Sequence, residues 1–191
     1  WSVRMYGEAM MPASPRWMQG AKMRVEATEE DEVLEALGEH IQEVLVEDEN
    51  HLVIWGSGGT LRTIAEGLGF NPTLLGIDAT IGSNQIGTDL NEEKLLKLIN
   101  DHEGDSTLLV SPMGGQGFLI GRGNLQLSPT VLRAIGIDAV MGVVTPAKML
   151  TLTQLRIDTG DVELDLEFQN KKYLKVLQGY RTTRLLRVAS D

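Results

Sequence analysis

The stretch LVIWGSGGTLRTIAEGLG, residues 52–69, decides the fold of this chain. Four apolar residues, 52–55, run directly into a glycine-rich turn at 56–60. Apolar residues then recur at spacings of three and four, as on the buried face of a helix: Leu61, Ile64, Ala65 and Leu68. A buried strand, a glycine turn and a helix are the parts of a phosphate-binding cradle. The stretch therefore predicts an α/β fold and raises the question of whether the turn holds a phosphate.

The remainder of the chain continues this alternation of short apolar strands and capped helices. Further strands are predicted at 73–77, 107–110 and 139–144. Helices are predicted to begin near Thr28, Asn91, Ser128, Thr145 and Asp161. Segments 173–177 and 184–188 flank Gly179, as the strands of a hairpin would. We predict a three-layer α/β fold with a mostly parallel sheet, helices on both faces and a C-terminal β-hairpin.

Composition and charge narrow the class of protein. Hydrophobic residues make up 42% and charged residues 23%, which is typical of a soluble globular protein. The net charge of -10 argues against a nucleic-acid or membrane partner. Because 12 of the 27 acidic residues lie in residues 1–50, the glycine-rich part is nearly neutral. The absence of cysteine excludes disulfides and thiolate metal sites, and these features together predict a cytoplasmic protein.

Glycine-rich and polar clusters follow each predicted strand. They lie at 56–60, at Asp78, at 111–123 and at 145–148. Ligands of parallel α/β sheets bind at the carboxyl ends of the strands. The clusters are therefore expected to form one site.

The turn at 56–60 is the first candidate for this site. Its glycines let backbone N–H groups point at an anion, and two hydroxyls add further contacts. The candidate residues are Gly56, Ser57, Gly58, Gly59 and Thr60. The turn is neither a Walker A loop, since no lysine follows, nor a Rossmann motif, since Leu61 replaces the third glycine. The alternative is a tight strand-to-helix connection without a ligand.

The segment 111–124 is the second candidate. Five glycines within residues 114–123 cost backbone entropy unless a close approach requires them. The guanidinium of Arg122 has a fixed fork that suits phosphate. The candidate contacts are Gly114, Gly115, Gln116, Gly117, Arg122 and Asn124. The alternative is a surface loop.

Three charged residues complete the set of candidates. Asp78 follows the predicted second strand, and Lys148 begins a helix from which it could reach the same crevice. A solvated lysine is equally consistent. Asp161 could bind a ribose hydroxyl or Mg²⁺, or it could simply cap the next helix. The three histidines lack metal-ligand spacing, so we predict no metal-ligating residues and leave the catalytic residue unassigned.

Several motifs resemble the C-terminal half of the ATP-NAD kinase family, in the branch of the acetoin-catabolism X proteins. The residues that carry the resemblance are GSGGT at 56–60, LLGIDA at 74–79, SPMGGQGFLIGRGNLQLSP at 111–129, TPAKM at 145–149, RIDTGD at 156–161 and GYR at 179–181. The resemblance implies phosphorylation of NAD to NADP, with ATP or polyphosphate as donor and Mg²⁺ or another divalent metal. It implies a small-molecule nucleotide as partner and leaves a homo-oligomer open.

The resemblance also implies a division of labour along a longer protein. The wider superfamily carries a GGDGT motif whose Asp belongs to the catalytic centre, and this chain has Gly58 at the nearest matching position. We therefore expect a missing N-terminal domain, with 1–25 as a linker or remnant of it and 26–191 as the C-terminal α/β domain. The chain alone is expected to be inactive as a kinase.

Two alternatives stay open from the sequence. The GSGGT turn also resembles the phosphate turn of ribose-5-phosphate isomerases, which implies a phosphosugar- or nucleotide-binding module without kinase activity. The other alternative is a regulatory or oligomerisation domain whose glycine loops only pack.

Overall fold

The described residues of the chain, in a computed structural model, are 19–113, 117–121 and 124–190, without the side chains of 19–29. The strands are β1 (Leu52–Trp55), β2 (Asp78–Ile81), β3 (Asn84–Gly87), β4 (Ser106–Val110), β5 (Phe118–Ile120), β6 (Val140–Val143), β7 (Arg156–Ile157), β8 (Tyr173–Gly179) and β9 (Thr182–Arg187). The α-helices are α1 (Gln19–Ile41), α2 (Gly59–Gly67), α3 (Glu92–Asp101), α4 (Pro129–Ile135), α5 (Pro146–Met149) and α6 (Val162–Lys171).

Seven of the described strands form one sheet in the order β3-β2-β1-β4-β6-β8-β9. Its centre is parallel, because β1 pairs with β4, β4 with β6 and β6 with β8 in the same direction. Antiparallel strands flank this centre, with β2 and β3 at one edge and β9 at the other. The pairing of β8 with β9 confirms the predicted C-terminal hairpin. Strands β5 and β7 form a separate parallel pair.

The alternation of side chains along β1 divides the core into two layers. Leu52 and Ile54 lie in a cluster with buried residues of α3, α4 and α6. Val53 and Trp55 lie in a second cluster with buried residues of α1 and α2. Because helices cover both faces of the sheet, the predicted three-layer α/β fold is confirmed.

The predicted caps fix where several helices begin. The side chains of Asn91, Ser128, Thr145 and Asp161 accept hydrogen bonds from backbone N–H groups three residues on. Each bond satisfies a donor that the first helical turn leaves unpaired. Helix α4 also begins with Pro129 and has Gly136 as its C-cap, as the sequence indicates.

The predicted strand at 73–77 is wrong. The second strand begins at Asp78 and runs antiparallel to β1, and residues 71–77 form an irregular connection. The Asp78 carboxylate organises this connection by accepting hydrogen bonds from the Thr73 and Asp89 backbone N–H groups. Leu74 and Leu75, which suggested a buried strand, are 55% and 75% exposed.

The start of the first helix also differs from the prediction. Helix α1 begins at Gln19 rather than near Thr28, so the last part of the predicted linker, 19–25, is helical. The last prolines of this region are Pro12 and Pro15, so no proline interrupts 19–28, and Gly20 stands at the very start of the helix. The rest of the predicted linker or remnant, residues 1–18, lies outside the described residues.

The hairpin of β2 and β3 was missed by the sequence analysis. Gly82 has a φ of 52° and forms the turn between the two strands. A glycine followed by Ser83 and Asn84 is a hairpin signal that the apolar pattern of the neighbouring residues obscured.

No helix in the described part of the chain has the length and apolar character to cross a membrane.

A substitution at Gly142 can test the packing between strands β6 and β8. A Cβ atom at this position would lie 2.6 Å from Cγ1 of Val176 on the neighbouring strand β8. We expect Gly142→Ala to lower the free energy of unfolding by about 1–3 kcal/mol, measured by urea denaturation. Gly179→Ala is the control, because a Cβ there meets nothing within 4 Å. If Gly142→Ala lowers the free energy of unfolding equally in a Val176→Ala background, contact with the Val176 side chain is not the cause.

Candidate functional site

Strand β1 ends in a close approach to β4. The Gly56 N–H donates to the Leu109 carbonyl at 2.8 Å, which extends the parallel pairing by one residue. A Cβ on Gly56 would lie 2.7 Å from the same oxygen. Gly56 is therefore required for strand packing, independently of any ligand.

A cavity of about 520 Å³ lies where β1, β4 and β6 end. Its lining comes from the turn after β1, from the segment after β4 and from the region of α5. The lining residues are Ser57, Gly58, Gly59, Thr60, Ser111, Pro112, Met113, Ala147, Lys148, Thr151 and Leu152. Among the described residues, the turn at 57–60 and the start of the 111–124 segment thus share one pocket, as expected from the strand ends.

The N-terminus of α2 forms one wall of this cavity. Gly58 occupies the N-cap position with a φ of 119°, a conformation that residues with a Cβ rarely adopt. Among the residues that the structure describes, no side chain caps the first turn of α2. The backbone N–H groups of that turn therefore remain available to an anion, and the helix dipole favours negative charge there.

Lys148 reaches the cavity from α5 and links it to both other strand ends. Its Nζ donates to Thr60 Oγ1 at 2.8 Å, to Ser111 Oγ at 3.0 Å and more weakly to the Pro112 carbonyl at 3.5 Å. All three acceptors are neutral. Within the described part of the chain, no carboxylate forms an ion pair with Lys148.

The environment of Lys148 is unfavourable to its charge. Burial lowers the pKa of the Lys148 ammonium, and the negative charge of Glu30 opposes this shift. Thr145 sets the position of Lys148 in the chain. Its buried side chain caps α5 by accepting a hydrogen bond from the Lys148 backbone N–H at 3.4 Å. The sequence thus places a half-buried cation, without a counter-ion among the described residues, at the edge of the sheet.

Asp161 takes the capping role that the sequence left open. Its carboxylate accepts from the Leu164 N–H and forms a bidentate ion pair with Arg133, at 2.8 and 3.0 Å. The Arg133 guanidinium and the Leu164 N–H lower the pKa of Asp161 from 3.8 to about 2. Asp161 does not line the cavity.

Asn124 and Gly117 also serve the local backbone. The buried Asn124 side chain accepts from the Gly121 N–H and donates to the Leu119 carbonyl. A Cβ on Gly117, which has a φ of 77°, would lie 2.6 Å from the Gln154 carbonyl. Neither residue lines the cavity, nor does Asp78. The remaining candidates of this segment, Gly114, Gly115, Gln116 and Arg122, lie outside the described residues.

Ser111 is a cavity residue that the sequence analysis did not single out. It is 6% exposed and is the first residue after β4. Its place at the carboxyl end of a parallel strand was the available signal. The sequence analysis selected the glycines later in the same segment instead.

A metal site is not evident in the described part of the chain. Among these residues, no three His, Asp or Glu side chains come together as metal ligands. The described residues therefore do not by themselves fit the divalent metal that the resemblance implies.

The fold and the cavity define an α/β protein whose candidate ligand site lies at the carboxyl ends of parallel strands. Residues 48–188 match the family described as the ATP-NAD kinase C-terminal domain, and the chain belongs to this family. The match spans every described strand and the whole cavity lining. The chain has no match among curated proteins or among solved structures. The acetoin-catabolism branch stays a prediction.

The structural role of Asp161 predicts a pH-dependent stability. A carboxyl whose pKa is depressed from 3.8 to about 2 stabilises the fold above pH 3.8, and this contribution is lost as the pH falls through 2. Asp161→Asn keeps a cap acceptor but loses the ion pair. We expect a lower melting temperature at pH 7 and a difference from the wild type that shrinks between pH 4 and 2. A constant difference in melting temperature across this range would contradict the assignment. Arg133→Gln is the matched variant, because it removes the other partner of the same ion pair.

Proposed function

We propose that this chain forms the C-terminal nucleotide-binding part of an NAD kinase, and that the cavity holds a phosphate group of the nucleotide. The family supplies the reaction class, the transfer of a phosphoryl group to NAD. The observation that supports the site is the Lys148 ammonium, which donates only to neutral oxygens among the described residues.

The energetic argument rests on the missing counter-charge. Removing an ammonium partly from water costs free energy unless an opposite charge or strong hydrogen bonds replace the solvent. The hydroxyls of Thr60 and Ser111 replace part of that solvation. A phosphate would supply the negative charge, and the uncapped N-terminus of α2 would add N–H donors to the same anion.

Phosphoryl transfer suits a site of this kind. Its catalysis consists mostly of positioning the reacting groups and neutralising their charge, without a covalent nucleophile. In this proposal Lys148 and the first turn of α2 hold and neutralise a nucleotide phosphate. A divalent metal, when bound, would neutralise further phosphate charge. No step is assigned to it, since the described residues gather no metal ligands.

The phosphosugar-binding alternative receives no support from the family match, which names an NAD kinase domain. Ribose 5-phosphate is therefore the competitor in the binding test. The proposed roles of ATP and NAD as substrates follow from the family.

Replacement of Lys148 by methionine removes the charge and keeps the length of the side chain. We expect Lys148→Met to weaken binding of the preferred nucleotide by roughly ten- to a hundred-fold, because one charge-assisted contact is lost. The measurement is titration calorimetry with NAD, NADP, ATP and ribose 5-phosphate. Lys97→Met, the same change at an exposed position of α3, is the control and should leave the affinities unchanged.

The outcomes separate the proposals. Binding of a nucleotide that depends on Lys148 and exceeds binding of ribose 5-phosphate supports the kinase assignment. Preference for the sugar phosphate would replace it with the phosphosugar module. Unchanged nucleotide affinity in a folded Lys148→Met variant would remove Lys148 from the site.

A further inference from the structure

The hydrogen bonds around Lys148 determine how two hydroxyls can interact with a ligand. A hydroxyl has one proton to donate and two lone pairs that accept. Thr60 Oγ1 and Ser111 Oγ both accept from the Lys148 ammonium, which has only donors. Among the described residues, neither hydroxyl donates to a protein acceptor. Each O–H is therefore left to donate into the cavity that both residues line.

The third N–H of the Lys148 ammonium is the one that can exchange its protein acceptor for a ligand oxygen. Its contact with the Pro112 carbonyl is 3.5 Å long, against 2.8 and 3.0 Å for the two hydroxyls. A hydrogen bond of that length is weak. A ligand can displace Pro112 at little cost while the hydroxyls keep the ammonium in position.

The cavity thus presents side-chain donors from three separate elements. Thr60 lies on α2, Ser111 follows β4 and Lys148 lies on α5. Ser111 is 6% exposed and accepts from Lys148, so the position of its hydroxyl oxygen is set by the fold before a ligand arrives. Every one of these donors requires an acceptor, and the backbone N–H groups at the start of α2 require acceptors as well.

From this arrangement we infer that the cavity selects a terminal, doubly ionised phosphate group over a phosphodiester or the internal diphosphate of a dinucleotide. The inference rests on the proposed function, since it assumes that the cavity binds phosphate. A terminal phosphate offers three non-bridging oxygens and two negative charges. A diester phosphate offers two such oxygens and one charge, so the Lys148 ammonium and the N-terminus of α2 attract it less strongly.

The change in ligand charge with pH tests this selectivity without a variant of the protein. The second pKa of a phosphomonoester is about 6, whereas a phosphodiester has no second ionisation. Lys148 is the titratable group among the described lining residues, and Glu30 acts on it electrostatically. Acidification can only increase the charge on Lys148. A loss of affinity towards low pH therefore reports the ligand and not the lysine.

The experiment compares adenosine monophosphate with cyclic adenosine monophosphate by calorimetry on the full chain between pH 5 and 7.5. We expect the monoester to bind roughly tenfold more tightly at pH 7.5, the difference that one stronger charge-assisted contact produces. This advantage should decline as the pH falls through about 6. Competition by sulfate, which keeps two charges over this range, is the control and should not weaken towards low pH.

Variants of Thr60 connect the selectivity to the hydroxyl. Thr60→Val should reduce monoester binding by roughly tenfold and diester binding less, and Thr60→Ser should restore it. Thr63→Val, the same change at an exposed position of α2, is the control for the fold. Equal affinities for the two ligands that both depend on Lys148 would overturn the selectivity and leave the proposed function intact. Binding of neither ligand would overturn the selectivity, and the proposed function falls with it only if NAD, NADP and ATP also fail to bind.

Discussion

The parallel pairing of β1 with β4 and of β4 with β6 determines where this protein can present a ligand site. It brings the ends of three strands that are distant in sequence to one edge of the sheet. Gly56 makes the closest part of this pairing possible, because its N–H meets the Leu109 carbonyl where no Cβ would fit. The cavity and the approach of Lys148 to Thr60 and Ser111 all depend on that geometry.

Lys148 connects the stability of this edge to its proposed function. Two hydroxyls offset part of the cost of holding a half-buried ammonium, but no carboxylate among the described residues forms an ion pair with it, and Glu30 acts on it only electrostatically. An anion that enters the cavity would lower that cost, so part of the binding free energy would come from relieving an arrangement that the fold imposes. The acidic residues that do form ion pairs, such as Asp161, hold helices and lie away from the cavity lining.

Much of the fold could be predicted because local signals agreed with the tertiary arrangement. Strands with four buried residues and helices with Asn91, Ser128 or Thr145 as caps were identifiable from residue type and spacing. The segment 73–77 misled because apolar residues can lie exposed in a connection that a single carboxylate, Asp78, organises. Asn124 and Asp161 were chosen for their polar groups, yet the fold uses those groups for nearby backbone atoms. Such partners depend on distances that a linear pattern does not contain.

A crystal structure of the chain with bound adenosine monophosphate tests the central claim most directly. The account predicts a phosphate oxygen within about 3 Å of Lys148 Nζ, with further oxygens facing the N-terminus of α2 and the hydroxyls of Thr60 and Ser111. It also predicts that the Lys148 contact with the Pro112 carbonyl is lost in the complex while both hydroxyl contacts remain. A phosphate bound at another surface, with Lys148 still donating to Pro112 in an empty cavity, would contradict the account.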